Sequence, residues 1–129
     1  MLDTNIAIYV IKRRPIDLLH RFNSNAGLLC ISAITYAELQ HGVEKSANLL
    51  RNGRQVEDFI SRLEVLDYGL KAGAHYGDIR TALERQGQII GVNDLHIAAH
   101  ARSEGLIIVS NNMREFVRVP GLRSENWLE

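Results

Sequence analysis

Apolar positions along this chain fall into two alternating patterns. Leu28 to Ile31 and Leu106 to Val109 are short unbroken apolar runs, each soon followed by serine. Such runs suit buried parallel strands that lead into helices. Val65 to Tyr68 is a weaker third strand, and Met1 and Leu2 read as the end of a very short first strand. Between them the spacing turns helical. Ser32 caps a predicted helix over residues 33 to 46, and Asn93 caps another over 94 to 104 that Gly105 ends. Residues 49 to 63 and 70 to 86 are also read as helices, the second stopped by Gly87. Within the first helix, Ile34, Ala37 and Glu38 share one face, which brings a carboxylate toward the edge of the core. Tyr36, Leu39 and Val43 make a second apolar stripe, suited to core packing or to self-association.

Strands alternating with helices of this length require crossover connections. The expected fold class is therefore α/β, with a central short parallel sheet flanked by helices on both faces. In such sheets ligand sites form beyond the carboxyl ends of the strands. Asp3, Asn111 and Asn112 follow predicted strands, and Asp94 opens a predicted helix. Widely separated segments are thereby placed on one edge of the sheet.

Composition narrows the picture. The chain has 129 residues, 46% hydrophobic and 23% charged, which suits one folded domain over residues 1–129. No apolar run reaches the roughly 20 residues that cross a bilayer, and no signal peptide is recognisable, so a cytoplasmic protein without membrane association is expected. Cys30 is the only cysteine; it has no disulfide partner and reads as a small buried hydrophobe. Fifteen basic and 15 acidic residues balance, so any polyanion site must come from local segregation of charge. The contiguous Lys12, Arg13 and Arg14 are either such a segment or a solvated helix end.

Asp3, Glu38 and Asp94 each have an ordinary structural reading. Asp3 can cap a helix beginning at Thr4, Asp94 can favour a helix N-terminus, and Glu38 needs a partner if buried. Should the three converge, two unit charges about 4 Å apart repel by roughly 4 kcal/mol at an effective dielectric near 20. Either pKa values rise or a cation is recruited. Oxygen ligands without cysteine or clustered histidine suit Mg²⁺, or alternatively Mn²⁺. His96 and His100, four apart on one helix, have a spacing that can bind metal, but Ile97, Ala98, Ala99 and Ala101 around them favour packing. Trp127 is expected to cover the edge of the core.

Four ordered motifs carry a family resemblance. They are LDTN (Leu2 to Asn5), ISAITYAEL (Ile31 to Leu39), NDLHIAAHA (Asn93 to Ala101) and LIIVSNNMREF (Leu106 to Phe116) followed by VPGL. Together they span essentially the whole chain, which resembles the PIN-domain ribonucleases and most closely the VapC toxins of toxin–antitoxin pairs. The resemblance implies that Asp3, Glu38 and Asp94 are the acidic metal-site positions. At the fourth position many PIN domains have aspartate where this chain has Asn112, with Glu115 a turn later. An amide oxygen can bind a metal without adding charge; Glu115 is either the missing carboxylate or a solvated helix residue. Thr4, Asn5 and Ser110 resemble the family's supporting polar groups.

The resemblance further implies a Mg²⁺-dependent endoribonuclease acting on structured RNA, often transfer RNA, with a VapB-like antitoxin as partner and a homodimeric state. Hydrolysis would leave a 3′-hydroxyl and a 5′-phosphate, with one metal or two. RNA phosphates need cations, for which Lys12, Arg13, Arg14, Arg51, Arg54, Arg80 and Arg85 are candidates. A PIN nuclease of RNA maturation or decay without antitoxin, and a degenerate PIN scaffold that only binds, are the alternatives.

Overall fold

The computed structural model describes residues 1–128. Its centre is a narrow parallel sheet. β1 (Cys30–Ser32) pairs with β2 (Glu64–Leu66), and β3 (Ile108–Val109) pairs with β4 (Ser124–Glu125), both in parallel. The N-terminal segment joins the two ladders. Leu2 N donates to Cys30 O at 2.9 Å, Asp3 N to Val109 O at 3.0 Å, and Val109 N to Met1 O at 2.8 Å. The spatial order is therefore β2, β1, the N-terminal segment, β3 and β4.

Strand alternation divides the core into two layers. Met1, Cys30 and Ile108 join one apolar cluster with Ile79, Leu83, Leu95 and Phe116. Their neighbours Leu2, Ile31 and Val109 enter the opposite cluster with Ile6, Leu39, Val43 and Phe59. Helices α5 (Leu70–Arg85), α6 (Val92–Ser103) and α7 (Met113–Phe116) supply the first layer. Helices α1 (Thr4–Ile11), α2 (Ile16–Ser24), α3 (Ala33–Glu44) and α4 (Leu49–Ile60) supply the second. This is the α/β sandwich expected from the alternation of runs.

Local chemistry sets most boundaries. Ser32 caps α3 by accepting from Ile34 N at 3.1 Å. Gly87 and Gly105 follow α5 and α6 with φ of 64° and 67°, a left-handed turn that glycine takes without the Cβ penalty. Several expectations need correction. α6 begins at Val92, capped by Gly91, so Asn93 lies inside the first turn rather than at the cap. Leu28 is 82% exposed, because the strand occupies Cys30–Ser32 instead of starting at residue 28. Ala37 is exposed; the buried face of α3 is Thr35, Leu39 and Val43, which gives most of the second stripe to the core. The apolar spacing assigns no element to α2 or β4, and α7 is a single turn around Glu115.

Cys30 and Trp127 are both 8% exposed, the first a free thiol inside the core and the second over its edge beside Arg21. Among the described residues no helix is long and apolar enough to cross a membrane.

Candidate active site

Three of the parallel segments end in buried polar residues: Asp3 at 2% exposure, Ser32 at 0% and Ser110 at 0%. Asp3 combines its two readings. Its Oδ1 caps α1 by accepting from Ile6 N at 2.9 Å, while Oδ2 accepts from the Ser110 hydroxyl. Burial raises the Asp3 pKa, opposed by these two hydrogen bonds, and the Glu38 charge adds to the rise. Ser110 Oγ in turn accepts from Asn112 N at 2.8 Å. One hydroxyl thereby ties the end of the N-terminal segment to the turn after β3.

Glu38 reaches the same edge from α3. Thr4 Oγ1 donates to Glu38 Oε1 at 2.6 Å. Thr4 also lies 3.1 Å from Thr35 Oγ1; because its single proton goes to Glu38, Thr35 is the donor of that contact. Asn93 Nδ2 donates to Glu38 Oε2 at 3.2 Å. The sequence position of Asn93 suggests a cap and the start of the NDLHIAAHA motif, and gives no sign of the contact to Glu38. Its supporting role followed from a helix start two residues earlier, which spacing alone does not give.

Asp94, in the first turn of α6, meets α7. Asn112 Nδ2 lies 3.3 Å from Asp94 Oδ2 and 2.7 Å from Glu115 Oε2, and Glu115 Oε1 accepts from Gly91 N at 3.2 Å. Asp94 is pushed up to about 7, first by burial, then by Glu115 and by the charges of Asp3 and Glu38. Glu115 is held below the usual carboxylate range, chiefly by hydrogen bonding with Asp94. The two carboxyls titrate as a pair, with Asp94 on the raised side and Glu115 on the lowered side. Glu115 is half-buried, with its two oxygens hydrogen-bonded to Gly91 N and Asn112 Nδ2.

The structure therefore brings together Asp3, Thr4, Glu38, Asp94, Asn112 and Glu115. The acids are linked through hydroxyls and amides. Among the described residues no three histidine, cysteine or acidic groups are gathered closely enough to hold a metal as they stand. The acidic side chains offer hard oxygens, and that chemistry fits Mg²⁺, which binds through few carboxylates and retains waters. The histidine pair is elsewhere engaged. His96 Nδ1 lies 2.8 Å from Tyr68 Oη and its ring stacks on Tyr76 at 4.2 Å. His100 is 1% exposed with Nδ1 at 2.7 Å from Ser32 Oγ, and burial lowers both pKa values.

The basic candidates also separate. Lys12, Arg13, Arg14, Arg51 and Arg54, joined by Arg62, line a cleft of about 580 Å³ between α1, α2 and α4. Arg80 instead bonds Tyr76 Oη at 2.6 Å on α5, and Arg85 is exposed at the end of the same helix.

The family model described as "PIN domain" matches residues 1–122. The chain is also 63% identical to "Ribonuclease VapC2" of Haemophilus influenzae over 128 residues, covering 99% of this chain and 97% of that one. The chain belongs to the VapC family of PIN domains. Another VapC relative, "tRNA(fMet)-specific endonuclease VapC" of Shigella flexneri, is 54% identical over 98% of this chain and 96% of its own length. Among solved structures, the DNA-bound VapBC of Salmonella typhimurium superposes with a TM-score of 0.95 at 53% identity, covering 98% of this chain and 96% of that chain. VapBC2 of Rickettsia felis, bound to a promoter DNA fragment, gives 0.93 at 44% identity, covering 98% and 97%. Both similarities extend over the VapC fold from end to end.

Proposed function

We propose that this chain is a Mg²⁺-dependent endoribonuclease toxin that hydrolyses a phosphodiester bond of transfer RNA and so inhibits translation and growth. The observation that carries this reading is the gathering of Asp3, Glu38, Asp94 and Glu115 at the carboxyl edge of a parallel sheet, with Asp94 raised to about 7 by its surroundings. Such a site favours a divalent cation, since binding one relieves both the like-charge repulsion and the cost of ionising Asp94. Mn²⁺ has the same preference for oxygen and serves as a substitute.

Asp3, Glu38 and Asp94 are the residues assigned to hold the cation. When bound, it supplies a water of lowered pKa and neutralises charge on the scissile phosphate. Ser110 fixes Asp3, Thr4 and Asn93 fix the two oxygens of Glu38, and Asn112 keeps Asp94 beside Glu115. These contacts hold the carboxylates in place before substrate arrives, which lowers the reorganisation needed on binding.

Transfer RNA is the substrate favoured by likeness to the tRNA(fMet)-specific relative. A VapB-like antitoxin is the partner favoured by likeness to the VapBC complexes, and a homodimer is the assembly proposed with it. The test is to incubate purified chain with initiator transfer RNA, with Mg²⁺ or with EDTA, and to sequence both ends of the products. A single main cut leaving a 3′-hydroxyl and a 5′-phosphate, abolished by EDTA, is expected. Cleavage that persists in EDTA, or ends in a 2′,3′-cyclic phosphate, contradicts the mechanism.

A further inference from the structure

The cleft that contains the acidic group continues past it. Its cavity of about 630 Å³ runs from Thr4 and Asp94 along α3 as far as Lys45. Glu38, His41, Gly42 and Lys45 recur at the spacing of one helix face, a stripe about 10 Å long at 1.5 Å per residue. Its charge reverses from end to end. Glu38 and Asp94 are the acids lining the cavity, and Lys45 is its fixed cation. Among the described residues Lys45 makes no ion pair.

Gly42 lies between the two ends. A glycine inside a helix is destabilising relative to alanine, and here a Cβ would meet nothing within 4 Å. Packing within this chain therefore does not require glycine. What the missing side chain does is keep the floor of the cleft open between Glu38 and Lys45.

An RNA strand laid on this cleft meets opposite fields at its two ends. The acidic end repels every phosphate except one compensated by a cation, so the neighbouring phosphate needs its own positive partner. We propose that Lys45, with His41 beside it, binds a second phosphate of the RNA backbone, next along the strand from the phosphate at the acidic site. This rests on the RNA-cleaving reading above. Lys45 is also the C-cap of α3, where an ammonium offsets the helix dipole. A capping role alone would alter stability and leave RNA binding untouched.

Steady-state cleavage of labelled initiator transfer RNA over a range of KCl separates the two roles. The variants are Lys45→Ala, Lys45→Arg and, as a control for lost charge outside the cleft, Lys71→Ala. For Lys45→Ala, KM should rise about tenfold and the slope of log(kcat/KM) against log salt should flatten by about 0.7, one phosphate contact on a single strand. Lys45→Arg should keep most of the affinity, and Lys71→Ala should match wild type in slope. The proposal is overturned if Lys45→Ala and Lys71→Ala share the wild-type KM and slope, including the case where only the melting temperature of Lys45→Ala falls. A wild-type protein that cuts no RNA overturns the underlying reading instead.

Discussion

The side-chain amide of Asn112 donates to Glu115 Oε2 at 2.7 Å, with its nitrogen also 3.3 Å from Asp94 Oδ2. A neutral amide thus bridges two carboxyl groups. Asn112→Asp replaces that donor with a further acidic group beside the coupled Asp94–Glu115 pair. The metal-free variant should melt at least a few degrees lower, a loss of ~1 kcal/mol or more for a domain of this size. Mg²⁺ should raise its melting temperature by more than it raises that of wild type. Thermal denaturation with and without Mg²⁺ measures both. Equal Mg²⁺-induced shifts in the two proteins would mean that position 112 does not face the cation.

Asp94 gives the metal-free protein a pH signature. Its pKa is about 7 in the folded chain against 3.8 for an ordinary aspartate, so on folding the group takes up a proton at pH values between the two. Stability from this group therefore rises as pH falls from above 7 toward 4, and changes no further below that. Asp3, also raised by burial, contributes in the same sense. Asp94→Asn should melt higher than wild type at pH 8 in EDTA, with the gap closing by pH 5. A gap independent of pH would show that Asp94 is not held in its protonated form.

Thr4 is the short link between α1 and Glu38. Thr4→Val keeps the shape and removes the hydroxyl, leaving Glu38 Oε1 without its 2.6 Å donor. Supporting hydrogen bonds of this kind are worth about ten- to a hundredfold in activity or metal affinity. kcat should fall by that amount, and Thr4→Ser should recover most of it. Matching kcat values for Thr4→Val and wild type would assign the hydroxyl to packing alone.

Much of this site was legible in the sequence because strand ends and caps are local. Asp3 follows a two-residue apolar segment, Ser32 caps a helix, and Gly105 ends one, all readable from side-chain chemistry over a few residues. The support around Glu38 was not legible. It depends on Asn93, 55 residues away, and on α6 starting at Val92, where Gly91 leaves no side-chain signal. Glu115 was ambiguous for the same reason. α7 has only four residues, too few to show a periodic face, and its place is set by Phe116, which is fully buried in the core. The basic cleft needed α2, which is set off from α1 by a turn at Arg13 with φ of 58°.

The proposed activity requires that these carboxylates hold a divalent cation where RNA is cut. Asp3→Asn tests it most directly, because asparagine still caps α1 while removing the charge at the buried end of the site. Single-turnover cleavage of initiator transfer RNA should be measured against Mg²⁺ concentration for wild type and variant. Wild-type rates should rise with Mg²⁺ and saturate, and Asp3→Asn should fold yet lose at least about a hundredfold in rate at every concentration. Equal rates for the two proteins, or a wild-type rate indifferent to Mg²⁺, would contradict the claim.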